Sequence, residues 1–474
     1  MVERLQGWGS RAVLIMPMLL LYLSVVGNSV EFKAERKTLS APIQIAVKQE
    51  WTIHYEPEEP YTLAKLEPES GVYLGAYVLQ DDTIGQSMDR FNELMGKQHA
   101  SYFRYVGYGQ PFPQQWAEQV KEAGAFPHIA WEPNNGLDEV EANDYAKEFA
   151  DAAHELGIPI FLRFASEMNG TWTNYSGNPS LYKQKWQLVH RIFQERAPNV
   201  AMVWTVLAMP ENTIESFYPG DEYVDWVGVN VYNVRYHNGS LKQKAEHEDP
   251  LDLISHVYNR FSRTKPIQLS EFGVTHYSTT DNRSSIDYAE EKLTRLYANL
   301  DTVYPRVKAV YYFDVNNVTA YNESRRINDY SLTNEERLIR RYSELISGPS
   351  YLSQIPDSMK AGESVPQSFT HYGRVFQEDG ILYADESFFT EVMGLSVAMN
   401  KQAQGESSAI IRLGNEKKAP ALQVPVLKRY MWTGINASSG LPINRMLYGL
   451  PIREISTFFG YTVKVDGTSI YIQE

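Results

Sequence analysis

IPIFLRFASE, residues 158–167, is an apolar β-type run that ends on a carboxylate, and PIQLSEFG, residues 266–273, repeats the pattern around Glu271. Runs of this kind recur along the chain with longer amphipathic, helix-period segments between most of them. Before the first lie VYLGAYVL (72–79), SYFRYVGYG (101–109) and AFPHIAWEP (125–133). Beyond it come VAMVWTVLA (200–208), VDWVGVNVY (224–232) and, after the second glutamate, VKAVYYFDV (307–315). Short β-branched or aromatic runs alternating with helices signal βα units and a parallel sheet. Eight such units over about 70–348 predict an α/β fold, a closed (β/α)8 TIM barrel.

In such a barrel the working residues gather where strands end. Glu167 ends the fourth run and Glu271 the seventh, on opposite sides of one rim. Either glutamate alone reads most simply as a helix-start charge or a surface residue. Together they read as chemistry, because a carboxylate is costly at a strand end unless solvated or used. Glycoside hydrolysis needs such a pair: one carboxyl group protonates the leaving oxygen, and a second attacks or activates water. Further rim candidates are Trp131 and Glu132 after the third strand, Trp204 on the fifth, Asn230 on the sixth, and Phe313 and Asp314 on the eighth. Trp204 reads equally as core, Glu132 before Pro133 as a loop opener, and His128 as a hydrogen-bonded core histidine.

The stretch RFASEMNGTWTNYSG (163–177), with NVAMVWTV, DWVGVNVYN and LSEFGV after it, resembles glycoside hydrolase family 26, best known for β-mannanases. The resemblance runs over about 71–345. It implies a retaining mechanism with Glu167 as acid/base and Glu271 as nucleophile, and Tyr232 matches the tyrosine beside the nucleophile. Retention requires the two carboxyl groups about 5 to 5.5 Å apart. The two pKa values must then be pushed apart. Trp172 is placed to desolvate Glu167 or to stack on a sugar. Arg104 is expected to partner Glu271 by charge and Tyr232 by a phenolic hydrogen bond; Asn169 is expected to support or bind. Mannanases of the family carry His before the acid/base, where this chain has Ser166, so contacts at the cleavage-site sugar should differ. Mannan leads as substrate, with mixed-linkage β-glucan, β-1,3-xylan and a bacterial exopolysaccharide open. The rival is a catalytically weak glycan-binding cell-surface protein on the same barrel.

Composition agrees with a polysaccharide partner and with no nucleic acid. A net charge of −14 and a pI near 5.3 disfavour phosphate polymers. Aromatic residues make up 13% of the 474, including 32 Tyr and 9 Trp, which suits packing and sugar stacking alike. There is no cysteine, which removes disulfides, thiolate metal sites and Cys nucleophiles. No HExxH, G-x-S-x-G or phosphate-loop motif occurs, so neither metal nor cofactor is expected.

Arg4 and Arg11, an apolar run from Ala12 to Val26, and Gly27 to Ser29 read as a signal peptide over 1–29, predicting a secreted or cell-surface bacterial protein. Residues 30–70 read as a linker or barrel extension, 71–348 as the barrel and 349–370 as a second linker. Over 371–474 two similar units, GILYADESFFTEVMGLSV (380–397) and GLPIREISTFFGYTV (449–463), each pair a strand with a short helix and a Gly before the next strand. A hairpin at Asp466 and Gly467 closes the chain. This smaller α+β domain resembles the stalk-like domain named after the copper amine oxidase N-terminus, a name that implies no copper. The resemblance suggests attachment to the cell envelope; its sugar-platform candidates are limited to Tyr430 and Trp432.

Overall fold

The structure is a computed structural model that describes Trp51 to Gln473, without 57–59, 320–322, 324–325, 357–360, 366–368, 401–406, 415–419 and 436–441, and without the side chains of 429–447. The signal-peptide reading and the Tyr430/Trp432 platform lie outside what is described. Among the described residues no helix is long and apolar enough to cross a membrane.

Eight parallel strands close on themselves: β1 Val72–Tyr77, β2 Ser101–Gly107, β3 Phe126–Glu132, β4 Ile160–Phe164, β5 Val200–Leu207, β6 Trp226–Asn233, β7 Ile267–Val274 and β8 Val307–Phe313, with β8 paired back to β1. All eight predicted runs are strands, and the barrel is the predicted one. Helices such as Asp144–Glu155, Pro179–Arg196, Pro250–Phe261 and Glu336–Ile346 ring it. Only short helical turns lie between β5 and β6.

Each strand splits its side chains by parity. Leu74, Ile129, Leu162, Trp204, Val229 and Leu269 pack with the helices. Tyr73, Phe103, Phe126, Phe161, Trp226 and Tyr311 fill the barrel. Two inward glycines make room for this filling: a Cβ on Gly75 would stand 2.2 Å from the Tyr311 ring, and one on Gly228 would stand 2.2 Å from Thr205 Oγ1.

β7 breaks parity once. Val229 faces Leu269 but the next pair is Asn230 with Glu271, so Ser270 is an extra residue, and the register to β8 shifts at the same place. Without this bulge, Phe272 would point into the barrel and Glu271 out toward the helices. With it, Phe272 joins the outer core and Glu271 turns inward.

The C-terminal domain follows the predicted repeat. Strand Ile381–Ala384 leads into a helical turn at Phe388–Val392, then Gly394 at φ 67° and strand Leu395–Asn400. Strand Pro442–Pro451 leads likewise into helix Ile452–Phe458, then Gly460 at φ 95° and strand Thr462–Asp466. The two units pair through their first strands, with Ala384 opposite Leu450. Gly467, at φ 57°, turns the final hairpin.

The stretch before the barrel differs from expectation. Thr52–Glu56 is a strand of the C-terminal domain, lying between Phe369–Tyr372 and Ser469–Gln473. Alternation explains it: Trp51, Ile53 and Tyr55 are buried beside Ile470 and Ile472, while the intervening residues face outward. The domain is therefore completed by residues that precede the barrel in sequence. Ile53→Asp, which puts an unpaired carboxylate into this core, should destabilise the domain by about 3 kcal/mol or more. Faster proteolysis within 371–473 at sub-denaturing temperature would register it; an unchanged digestion rate would contradict the assignment.

Candidate active site

The mouth of the barrel at the strand ends is built from inward positions: Tyr77 on β1, Tyr105 on β2, Glu132 on β3, Arg163 on β4, Asn230 and Tyr232 on β6, Glu271 on β7 and Phe313 on β8. Glu271 receives three donors. Arg163 Nη2 lies 2.6 Å from its Oε1, Tyr105 Oη donates to the same oxygen at 2.6 Å, and Tyr232 Oη donates to Oε2. Arg163 is fully buried, its guanidinium 5.3 Å from the Phe103 ring centre and 5.4 Å from that of Tyr105. A charge so placed needs a counterion, and Glu271 supplies it.

Glu167 has no such partner. It lies three residues beyond β4, at φ 60°, in a loop rather than on the strand itself. Asn230 Nδ2 donates to its Oε1 at 2.8 Å and Trp172 Nε1 to its Oε2 at 3.1 Å. Asn230 is also the register partner of Glu271, so the strand that donates to Glu167 lies directly beside the one that carries Glu271. Burial and, next, the charge of Glu271 push the Glu167 carboxyl up to about 7, against the opposing Asn230 hydrogen bond and Arg163 charge. One carboxylate is thus fixed by a cation and two phenols, and the other is held toward its neutral form.

The remaining predicted residues divide by depth. Trp172 is 57% exposed beside Glu167, and Gly170 leaves it space, since a Cβ there would meet the indole at 2.4 Å. Phe313 stacks on Tyr77 at 5.4 Å and meets Tyr232 edge-on at 5.5 Å, lining the mouth. Asn169 is buried and exchanges two hydrogen bonds with the backbone of Leu207, so it ties the acid loop to the end of β5.

Three expectations need correction. Trp131 and Trp204 are fully buried on the helix side of their strands, Trp131 against Phe149 and Trp204 against Tyr218 and Phe261, because odd positions of β3 and even positions of β5 face outward. Neither can touch a sugar. Arg104 is exposed and the cation on Glu271 is Arg163, since the inward parity of β2 falls on Ser101, Phe103 and Tyr105. Ser166, placed among the binding or supporting residues, is buried and hydrogen bonded to Glu132.

Arg163 and Tyr105, which hold Glu271, and Tyr175, which bonds the inward Glu132, are not among the residues that sequence reasoning singles out. The signal was present for Arg163: a charged residue inside the apolar run FLRF is tolerable only with a buried counterion. His128 is fully buried below Arg163, where burial and that neighbouring charge depress its pKa and keep it neutral. Among the described residues no group of three or more His, Asp or Glu side chains is placed to hold a metal ion.

Against known proteins, residues 128–253 match the profile of glycosyl hydrolase family 26. The family is one of O-glycosyl hydrolases. The matched stretch contains Glu132, Arg163, Glu167, Asn230 and Tyr232, and Glu271 follows 18 residues after its end (271 minus 253). Curated relatives similar to the chain include three named for different glycans. Endoglucanase H of Acetivibrio thermocellus is 25% identical over 300 residues, 59% of this chain and 31% of its own length. Beta-1,3-xylanase of Alcaligenes sp. is 28% identical over 141 residues, 29% of this chain and 27% of its own length. Mannan endo-1,4-beta-mannosidase of Bacillus subtilis is 30% identical over 103 residues, 19% of this chain and 28% of its own length. The chain spans less than a third of each of these relatives.

Proposed function

We propose that the chain is an exported, retaining endo-β-glycanase acting on β-1,4-mannan or a related β-glycan. The observation that carries this reading is the asymmetry of the two carboxylates. Glu271, ion-paired and held by two phenols, suits a nucleophile that must be ionised and aimed. Glu167, desolvated and raised to about 7, suits an acid that must arrive protonated. In the first step a Glu271 oxygen attacks the anomeric carbon while Glu167 gives its proton to the departing glycosidic oxygen, leaving a glycosyl ester on Glu271. In the second, Glu167 takes a proton from water, whose oxygen attacks the same carbon and releases Glu271. Trp172 and Phe313 are the aromatic surfaces beside these carboxylates, Trp172 as a sugar platform.

The substrate class rests on the relatives, which are named for glucan, β-1,3-xylan and β-1,4-mannan, and on the sequence resemblance that favours mannan. The C-terminal domain serves as a stalk-like appendage that attaches the enzyme to the cell envelope. Incubation with mannan, glucomannan, mixed-linkage β-glucan and β-1,3-xylan tests the reading: oligosaccharides from at least one polymer are expected, with mannan first. Binding without products on all four would favour a non-catalytic glycan-binding protein.

The raised Glu167 sets a pH dependence. The acid must be protonated in the free enzyme, so kcat/KM should fall as pH rises through about 7. Asn230 stabilises the ionised form, so Asn230→Ala should move this basic limb upward, by roughly half to one pH unit. A limb that stays or moves downward would contradict the assignment of Glu167.

A further inference from the structure

The loop that carries Glu167 is held by a buried polar cluster at the end of β3, separate from the three donors on Glu271. Ser166 donates twice to Glu132, its backbone N–H to Oε2 at 3.1 Å and its hydroxyl to Oε1. Tyr175 Oη lies 2.7 Å from the same Glu132 Oε2 and 2.9 Å from the carbonyl oxygen of Ser166. Donor, carboxylate and carbonyl are each buried. Ser166 is thus gripped at its N–H, its hydroxyl and its carbonyl.

The residues on either side of Ser166 explain why such a grip is needed. Ala165 has φ 47° and Glu167 φ 60°, both in the left-handed region that costs a side-chain-bearing residue about 1–3 kcal/mol. Two such residues in three persist only where the surroundings over-determine them. The flanking backbone bonds do part of this, Ala165 N–H to Trp131 O at 3.1 Å and Glu167 N–H to Thr205 O at 3.1 Å. The residue between them is fixed by Glu132 and Tyr175. Burial of Glu132 raises its carboxyl, and the bonds from Ser166 and Tyr175, with the Arg163 charge, oppose that rise.

We propose that Glu132 and Tyr175 are positioning residues that hold the Glu167 carboxyl in line with the departing oxygen by clamping Ser166. The proposal rests on the reading of Glu167 as the acid. It also gives Ser166, which departs from the histidine usual in the resembling mannanases, a role: a short hydroxyl that reaches inward to a strand-end carboxylate.

The clamp acts through proton donation, which separates it from a general structural role. A leaving group that departs without a proton does not need the acid in the first step, whereas a poor one does. The test compares wild type with Tyr175→Phe, Glu132→Ala and Glu132→Gln on two β-glycosides of the disaccharide unit of the cleaved polymer. For mannan these are 2,4-dinitrophenyl and 4-methoxyphenyl β-mannobioside. For Tyr175→Phe and Glu132→Ala, kcat/KM on the methoxyphenyl substrate should fall roughly 10- to 100-fold, while that on the dinitrophenyl substrate stays within about threefold of wild type. Glu132→Gln should recover part of the loss, because its amide can donate to a rotated Ser166 hydroxyl while its oxygen still accepts. Equal losses on both substrates, or none, would overturn the clamp. Tyr175→Phe, nearly isosteric, keeps the test decisive if Glu132→Ala fails to fold. Glu167→Gln separates the two levels: if it too loses equally on both substrates, the acid assignment fails rather than the clamp.

Discussion

Glu271→Gln should lose at least about 10³-fold in kcat on every substrate, irrespective of leaving group, because no nucleophile remains to form the ester in the first step. This independence distinguishes it from Glu167→Gln, whose loss should shrink on an activated aryl glycoside. The substitution also leaves Arg163 fully buried with a neutral amide where its counterion stood; its Nε and Nη1 already lack hydrogen-bond partners. A destabilisation of about 1–3 kcal/mol should therefore accompany the lost activity. Denaturant unfolding checks the second effect, and steady-state kinetics on both substrate types the first. Near-normal turnover in the folded variant would remove Glu271 from the chemistry.

Arg163→Met is the second large effect. Methionine replaces the stem and keeps the contacts with Phe103 and Tyr105, but the carboxylate loses the Arg163 cation and retains two phenol donors. Removing one partner of a buried pair costs about 3–5 kcal/mol when the other charge has no escape. Here Glu271 sits at a mouth that water can enter, so about 3 kcal/mol is expected, together with a roughly 10²-fold fall in kcat from the mis-aimed carboxylate. The double variant Arg163→Met/Glu271→Gln should be more stable than Arg163→Met alone, since it strands no charge. A strictly additive double variant would mean that the 2.6 Å contact contributes nothing to the fold.

The barrel was legible because its strands are buried on both faces and so appear as continuous apolar runs, all eight of which are strands. The same continuity hides which face each residue uses. Trp131 and Trp204 look like rim aromatics until the parity of their strands places them among the helices. Glu271 is the reverse case: strict alternation would have turned it outward, and only the extra residue at Ser270 aims it into the mouth, a backbone event that no side-chain pattern announces. Arg163 was readable as a charge in an apolar run, but its partner was not, because Glu271 lies 108 residues away (271 minus 163) and the pairing exists only once the barrel has closed. Residues 52–56 alternate cleanly, yet their partner strands begin beyond residue 368, so a local reading assigns them to a linker. The repeat of strand, short helix and glycine in the C-terminal domain was legible because each unit is local.

The double displacement through Glu271 predicts a specific stereochemical outcome. Proton NMR of the first product released from the cleaved polymer, followed before mutarotation, reads it directly. Retention by double displacement predicts that the β-anomer of the new reducing end appears first and the α-anomer grows in later. An α-anomer formed first would mean direct attack by water, and would contradict the role of Glu271 as nucleophile.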